Sequence, residues 1–174
     1  MPGPDDVLVR VHASALNRAD TLQREGNYPA QSGASKILGL ELSGEVVEAG
    51  ANVDRFEPGD RVYGLSGGGG YGELAAFHQD LAMPIPEGWD FATAASIPEV
   101  FFTSNTALRT LGSLQSVERA LIHAGGSGIV LLGLDEQVGQ APLHRVAVFE
   151  RALLLAQTFV DLFRRGKSVI DDEF

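Results

Sequence analysis

Residues 57–77 read Glu-Pro-Gly-Asp-Arg-Val-Tyr-Gly-Leu-Ser-Gly-Gly-Gly-Gly-Tyr-Gly-Glu-Leu-Ala-Ala-Phe. Glu57-Pro58-Gly59-Asp60 sets a tight turn, because proline fixes one dihedral and glycine accepts the left-handed one that follows. The turn feeds a short strand over 61–64. Glycines 67–70 offer no side chain to pack and are read as loop, and 72–77 (GELAAF) is the next strand. Outward from this stretch, residues 7–11 (VLVRV) alternate as a strand and 44–47 continue a second one. Met83-Pro84-Ile85-Pro86 must be extended, since each proline restricts the residue before it. Short strands at this spacing, divided by Gly and Pro, predict a small β-barrel or sandwich.

After Gly88 the pattern changes. Residues 90–96 (DFATAAS) read as a short capped helix, and 97–111 as a longer one entered through Pro98. Two buried-type strands follow at 119–123 (RALIH) and 130–134 (VLLGL). Apolar or small residues at 146, 149, 153, 156, 160 and 163 make one helical stripe, with Gly166 as its C-cap. That stripe fits either the face of its own domain or a seam with a second copy in a homodimer.

Composition narrows the function classes. The 174 residues hold 13 Lys plus Arg against 23 Asp plus Glu, a net charge of −10. That balance disfavours nucleic acid and anionic membranes, which are bound through clustered cations. With 44% hydrophobic residues the chain can bury a core. There is no cysteine, so disulfides and thiolate-ligated metals are excluded, and a reducing, cytoplasmic location suits the chain. No apolar run approaches the ~20 residues of a membrane helix, and no basic-then-apolar leader opens the sequence.

The strand running into Ala124-Gly125-Gly126-Ser127-Gly128 is the clearest chemical signal, because glycines let the backbone approach a pyrophosphate closely. Its expected context is broken: Val130 stands where the last glycine should, and a strand-like run replaces the helix. Asn17, Arg18, Asp20 and Tyr28 form a polar cluster after the first strand. They suit either hydrogen bonding to a substrate carbonyl or nicotinamide amide, or capping of a helical turn over 18–23. His12, His78, His123 and His144 are scattered without ligand spacing, and no Gly-x-Ser-x-Gly elbow supplies a nucleophile. Glu41 and Glu99 read as isolated carboxylates, each in a local hydrogen bond or ion pair.

Several segments in fixed order carry a family resemblance: residues 13–20 (ASALNRAD), 26–29 (GNYP), 38–44 (LGLELSG), 58–62 (PGDRV), 83–88 (MPIPEG), 94–99 (AASIPE) and 121–128 (LIHAGGSG). Together they resemble the zinc-independent NADPH:quinone oxidoreductase branch of the medium-chain dehydrogenase/reductase superfamily. The resemblance implies an α+β fold with a GroES-like β-barrel catalytic domain over residues 1–112. Residues 113–174 would hold residual strands of a Rossmann cofactor domain and a C-terminal helix. Where zinc-dependent cousins carry a metal-binding Cys and a Gly-His-Glu, this chain has Leu16-Asn17 and Gly39-Leu40-Glu41, which implies no metal. By resemblance, NADPH is the cofactor and a quinone or similar electrophile takes the hydride. Asn17 and Tyr28 match catalytic positions, Thr103 a residue beside the cofactor, and Gly125, Gly126, Ser127 and Gly128 the phosphate loop.

Departures from the family pattern imply an excised cofactor domain. The hairpin that usually precedes the strand at residue 7 is missing, and after Ile129 the sequence passes directly to what looks like a much later strand. Two strands cannot make the doubly wound sheet that binds a dinucleotide across its switch point. The alternative reading is therefore a non-catalytic GroES-like module, or a shortened form that no longer binds cofactor.

Overall fold

The alternation that begins at Val7 extends over eight residues. In the computed structural model, which describes residues 1–30 and 33–114, it forms β1 (Asp6–Ala13). Helix α1 (Arg18–Arg24) follows, then β2 (Glu41–Ala49), β3 (Arg61–Leu65) and β4 (Leu74–His78). A 3-10 turn over Gln79–Leu81 leads into β5 (Ala82–Pro84). Helices α2 (Phe91–Ala95) and α3 (Pro98–Asn105) complete the order, and the chain continues from α3 as a π-helix over Thr106–Leu111. All five strands and both shorter helices lie in one compact unit, Met1–Glu99; a second unit begins at Val100, inside α3.

The strands form one antiparallel sheet in the order β4-β1-β2-β3-β5. Its two edges, β4 and β5, are joined by only the three residues of the 3-10 turn. Five flat strands would separate those edges by roughly 19 Å. The four Cα–Cα steps from His78 to Ala82 span about 14 Å at most, so the sheet must curl until its edges approach. Gly64 of β3 records that curl, since a Cβ there would lie 3.0 Å from the ring of Phe77 on β4, a strand that β3 does not pair with.

The core fills the inside of the curl. Val7 and Val9, Leu42 and Val46, Val62, Ala75 and Phe77, and Ala82 are buried together, with Val11, Val53, Phe56 and Leu81 packed against them. Each large aliphatic side chain contributes about 1.5–3 kcal/mol by leaving water. α2 caps itself as its sequence predicts: the Asp90 carboxylate accepts from the Thr93 N–H at 2.7 Å. The ring of Phe91 stacks on His12 of β1 at 4.3 Å and lies under the Arg61 guanidinium of β3 at 4.6 Å, which pins α2 to the sheet.

The α+β architecture and the strands expected around residues 7, 44, 61 and 72 are present. The second strand starts three residues earlier than the expected residue 44, because Glu41, Leu42 and Ser43 are buried and paired with β3. The strands expected at 119–123 and 130–134, the helical stripe at 146–163 and the phosphate-loop residues Gly125 to Gly128 lie outside the described residues.

Candidate active site

Asn17 stands at the N-cap of α1 with extended backbone, at the end of the loop that leaves β1. Asp20 closes the start of the helix. Its Oδ2 accepts the Asn17 N–H at 2.8 Å, and its own N–H donates to the Asn17 carbonyl at 3.1 Å. Capping is therefore real, and it leaves the Asn17 amide nitrogen for another partner. Nδ2 donates to Oε1 of Glu41 at 2.6 Å, across 24 residues of chain.

Glu41 opens β2 and is 1% exposed. Its Oε2 accepts the backbone N–H of Glu99 at 2.8 Å. That donor sits in the first turn of α3, directly after Pro98, where helical N–H groups have no partner within the helix. The Glu41 carboxylate thus joins three elements: it orients Asn17 at the start of α1, caps α3, and belongs to β2. Ser14 Oγ donates to the Glu41 carbonyl at 2.6 Å and ties the same loop to the strand.

The glycine run supplies the next wall. Residues 68–70 are buried rather than exposed, and they lie against segment 37–40. The N–H groups of Ser66, Gly69, Gly70 and Tyr71 donate to the carbonyls of Leu40, Ile37, Gly39 and Leu38. Gly39 has a φ of +103°, and a Cβ there would lie 2.6 Å from the Tyr71 nitrogen, so only glycine lets the two backbones meet. The clamp delivers the Tyr71 hydroxyl to Asp20 Oδ2 at 2.8 Å.

Three carboxyl groups therefore gather without a basic partner. Among the described residues the ion pairs are Arg55–Asp80 and His78–Asp80, and neither touches this cluster. Burial pushes the Glu41 carboxyl up, against the opposing pull of the Glu99 N–H and the Asn17 amide; the Asp20 charge adds to the rise. Glu99 is pushed to about 7, first by burial and then by the charges of Glu41 and Asp20. Burial, the hydrogen bond to Asp20 and the neighbouring charges also raise the Tyr71 phenol. A carboxyl that titrates near neutrality beside a fixed amide is the kind of environment that functional sites use. Asp20 Oδ1 and Gln23 Oε1, three residues apart on α1, are buried with no hydrogen-bond partner among the described residues. No group of three His, Cys, Asp or Glu among those residues is arranged to hold a metal ion.

Asn17 and Asp20 stood together in the sequence, whereas Glu41 and Glu99 stood apart and Tyr71 had no assigned role. A charged residue at the head of an otherwise buried strand, and an acid after Pro98 at a helix start, were the available signals. Tyr28 is half-buried, four residues beyond α1. Thr103 lies on α3 within the second compact unit.

Residues 3–87 match the alcohol dehydrogenase GroES-like domain. A quinone oxidoreductase of Pseudomonas aeruginosa is 36% identical over 159 residues, covering 90% of this chain and 49% of that protein. The chain carries this domain and is similar to quinone oxidoreductases of the medium-chain dehydrogenase/reductase superfamily. Among solved structures, the Escherichia coli quinone oxidoreductase complexed with NADPH superposes with a TM-score of 0.69 at 28% identity, over 89% of this chain and 49% of that one. The CurK enoyl reductase superposes with a TM-score of 0.71 at 25% identity, over 90% of this chain and 50% of that one. This chain thus spans about half the length of each of these relatives. Among the described residues no helix is long and apolar enough to cross a membrane.

Proposed function

We propose that this chain takes part in metal-independent transfer of hydride from NADPH to a quinone or similar electrophile. The observation that carries the reading is the Asn17 amide. It is half-exposed, fixed by a buried carboxylate, and set in a domain shared with quinone oxidoreductases. NADPH, when bound, supplies the hydride. Asn17 offers its amide to the nicotinamide or to the substrate carbonyl, and Tyr28 orients the same reactants. Thr103 stands beside the cofactor, and Gly125, Gly126, Ser127 and Gly128 contact its phosphates. A second copy of the chain, in a homodimer, covers the apolar stripe at 146–163.

The amide fits a carboxamide ligand, because an asparagine held at Nδ2 still offers a second N–H and oxygen lone pairs. A thermal unfolding scan of the whole chain with and without NADPH tests the cofactor. Ligand at ~100 times its dissociation constant adds about 2.7 kcal/mol, a shift of several degrees. An upward shift, followed by quinone-dependent NADPH oxidation that falls in Asn17→Ala and Tyr28→Phe, is the expected result. A transition that NADPH does not move sinks the reading and leaves a non-catalytic GroES-like module.

A second acceptor class rests on the likeness to the CurK enoyl reductase. An activated carbon–carbon double bond would then replace the quinone at the same site. Running the NADPH assay with an α,β-unsaturated thioester beside a quinone separates the two.

A further inference from the structure

We infer that Glu41 is the positioning residue of this site: it fixes which end of the Asn17 amide faces its ligand. The inference rests on the role proposed for Asn17 and goes one residue deeper. An asparagine amide has two orientations related by a half-turn, similar in shape and opposite in polarity. Asn17 Nδ2 donates to Glu41 Oε1 at 2.6 Å, and once ionised this carboxylate can only accept, which selects nitrogen over oxygen at that position. Glu41 cannot itself turn away. Its other oxygen is tied to the Glu99 main chain at 2.8 Å, and the side chain is 1% exposed. The lock therefore runs from the helix backbone through one carboxylate to the amide.

The same geometry defines the test. In Glu41→Gln a single oxygen remains, and the immobile Glu99 N–H claims it. The new Nε2 then faces Asn17, whose amide must turn over to offer oxygen. Asn17→Asp alone sets two carboxylates against each other. The double variant restores a donor opposite an acceptor, with the roles exchanged, and again leaves an acceptor oxygen for the ligand.

Side-chain amide NMR of the ¹⁵N-labelled full chain at pH 8 reads the lock without any ligand. In the wild type one Asn17 amide proton should be shifted downfield and exchange slowly, and Asn17→Asp identifies the pair by removing it. Glu41→Gln should abolish that shift while the backbone spectrum stays dispersed. Unchanged Asn17 amide signals in Glu41→Gln would overturn the inference. Where Glu41→Gln unfolds, stability of the double variant decides: it should melt above Glu41→Gln, and a double variant no more stable overturns the lock.

In the NADPH assay, Glu41→Gln and Asn17→Ala should each lose on the order of tenfold to a hundredfold in kcat/KM. Glu41→Gln should add nothing in the Asn17→Ala background. Additive losses would mark Glu41 as structural and overturn the inference. A wild-type chain indifferent to NADPH would count against the cofactor reading alone, because the amide spectrum still decides the lock.

Discussion

Two positions of β2, Glu41 at its start and Val46 further along, sit five residues apart and obey different rules. At Val46 the strand is 1% exposed and packed among Val7, Val9, Val62 and Phe77, all apolar. At Glu41 it is equally buried, yet its neighbours are an amide, a helix N–H and two further carboxyl groups. The apolar end gains stability in proportion to area and does not care which methyl meets which. The polar end is stable only while each oxygen has its donor, because an unpaired buried polar group is costly. Variants at the apolar end should therefore be insensitive to pH, and those at the polar end should not.

The largest effect belongs to the apolar side. Leu42 adjoins Glu41 in sequence but its side chain belongs to the same apolar core as Val46, and Leu42→Ala should lower stability by about 3 kcal/mol through lost transfer energy and a residual cavity. Denaturant unfolding at pH 5 and pH 8 should give the same loss; a loss that changes with pH would blur the contrast.

Glu99→Gln comes next, with the opposite sign. The folded carboxyl titrates near 7 and the unfolded one near 4.5, so the native state holds its proton longer. Stability from this group is full below about pH 4.5 and declines as pH rises through about 7, above which the penalty for a buried charge is complete. Glutamine removes that penalty. The variant should exceed the wild type by on the order of 2 kcal/mol at pH 8, with the gap closing by pH 4.5. A pH-independent gap would show that the carboxyl is not buried against its neighbours.

Tyr71→Phe should cost about 1 kcal/mol, the worth of its hydrogen bond to Asp20. Both ends of the strand should keep their structure, so the loss appears in the melting temperature and not in the circular dichroism. Asp80→Ala should be silent within about 0.5 kcal/mol. Its ion pair with Arg55 joins side chains 71% and 47% exposed, where solvent screens the attraction. A measurable loss there would mean that surface charge rivals the buried cluster.

Much of the apolar half was readable in advance. Val7 and Val9 alternate with outward residues, and proline and glycine mark the turn at 57–60, so local rules place the strands. Asp90 caps its helix through a residue three positions on, which is also a local matter. The polar half was only half readable. Asn17 and Asp20 were visible as a pair because helix caps are local, and the family motifs singled out Asn17 for function. Glu41 and Glu99, 58 residues apart, carry no periodic signal that joins them. Nor does the glycine run announce that it is buried; its fit against segment 37–40 exists only once the sheet has curled.

The sequence by itself determined the strands and turns, the first helices, the apolar core and the family resemblance, because these follow from neighbours a few residues apart or from motifs in order. Only the tertiary structure decided that Asn17 is held at its nitrogen by a buried glutamate. It also decided that this glutamate caps a distant helix and that three acids share one site. Those facts depend on side chains meeting across the closed sheet, and electrostatic energy depends on distance in space rather than along the chain.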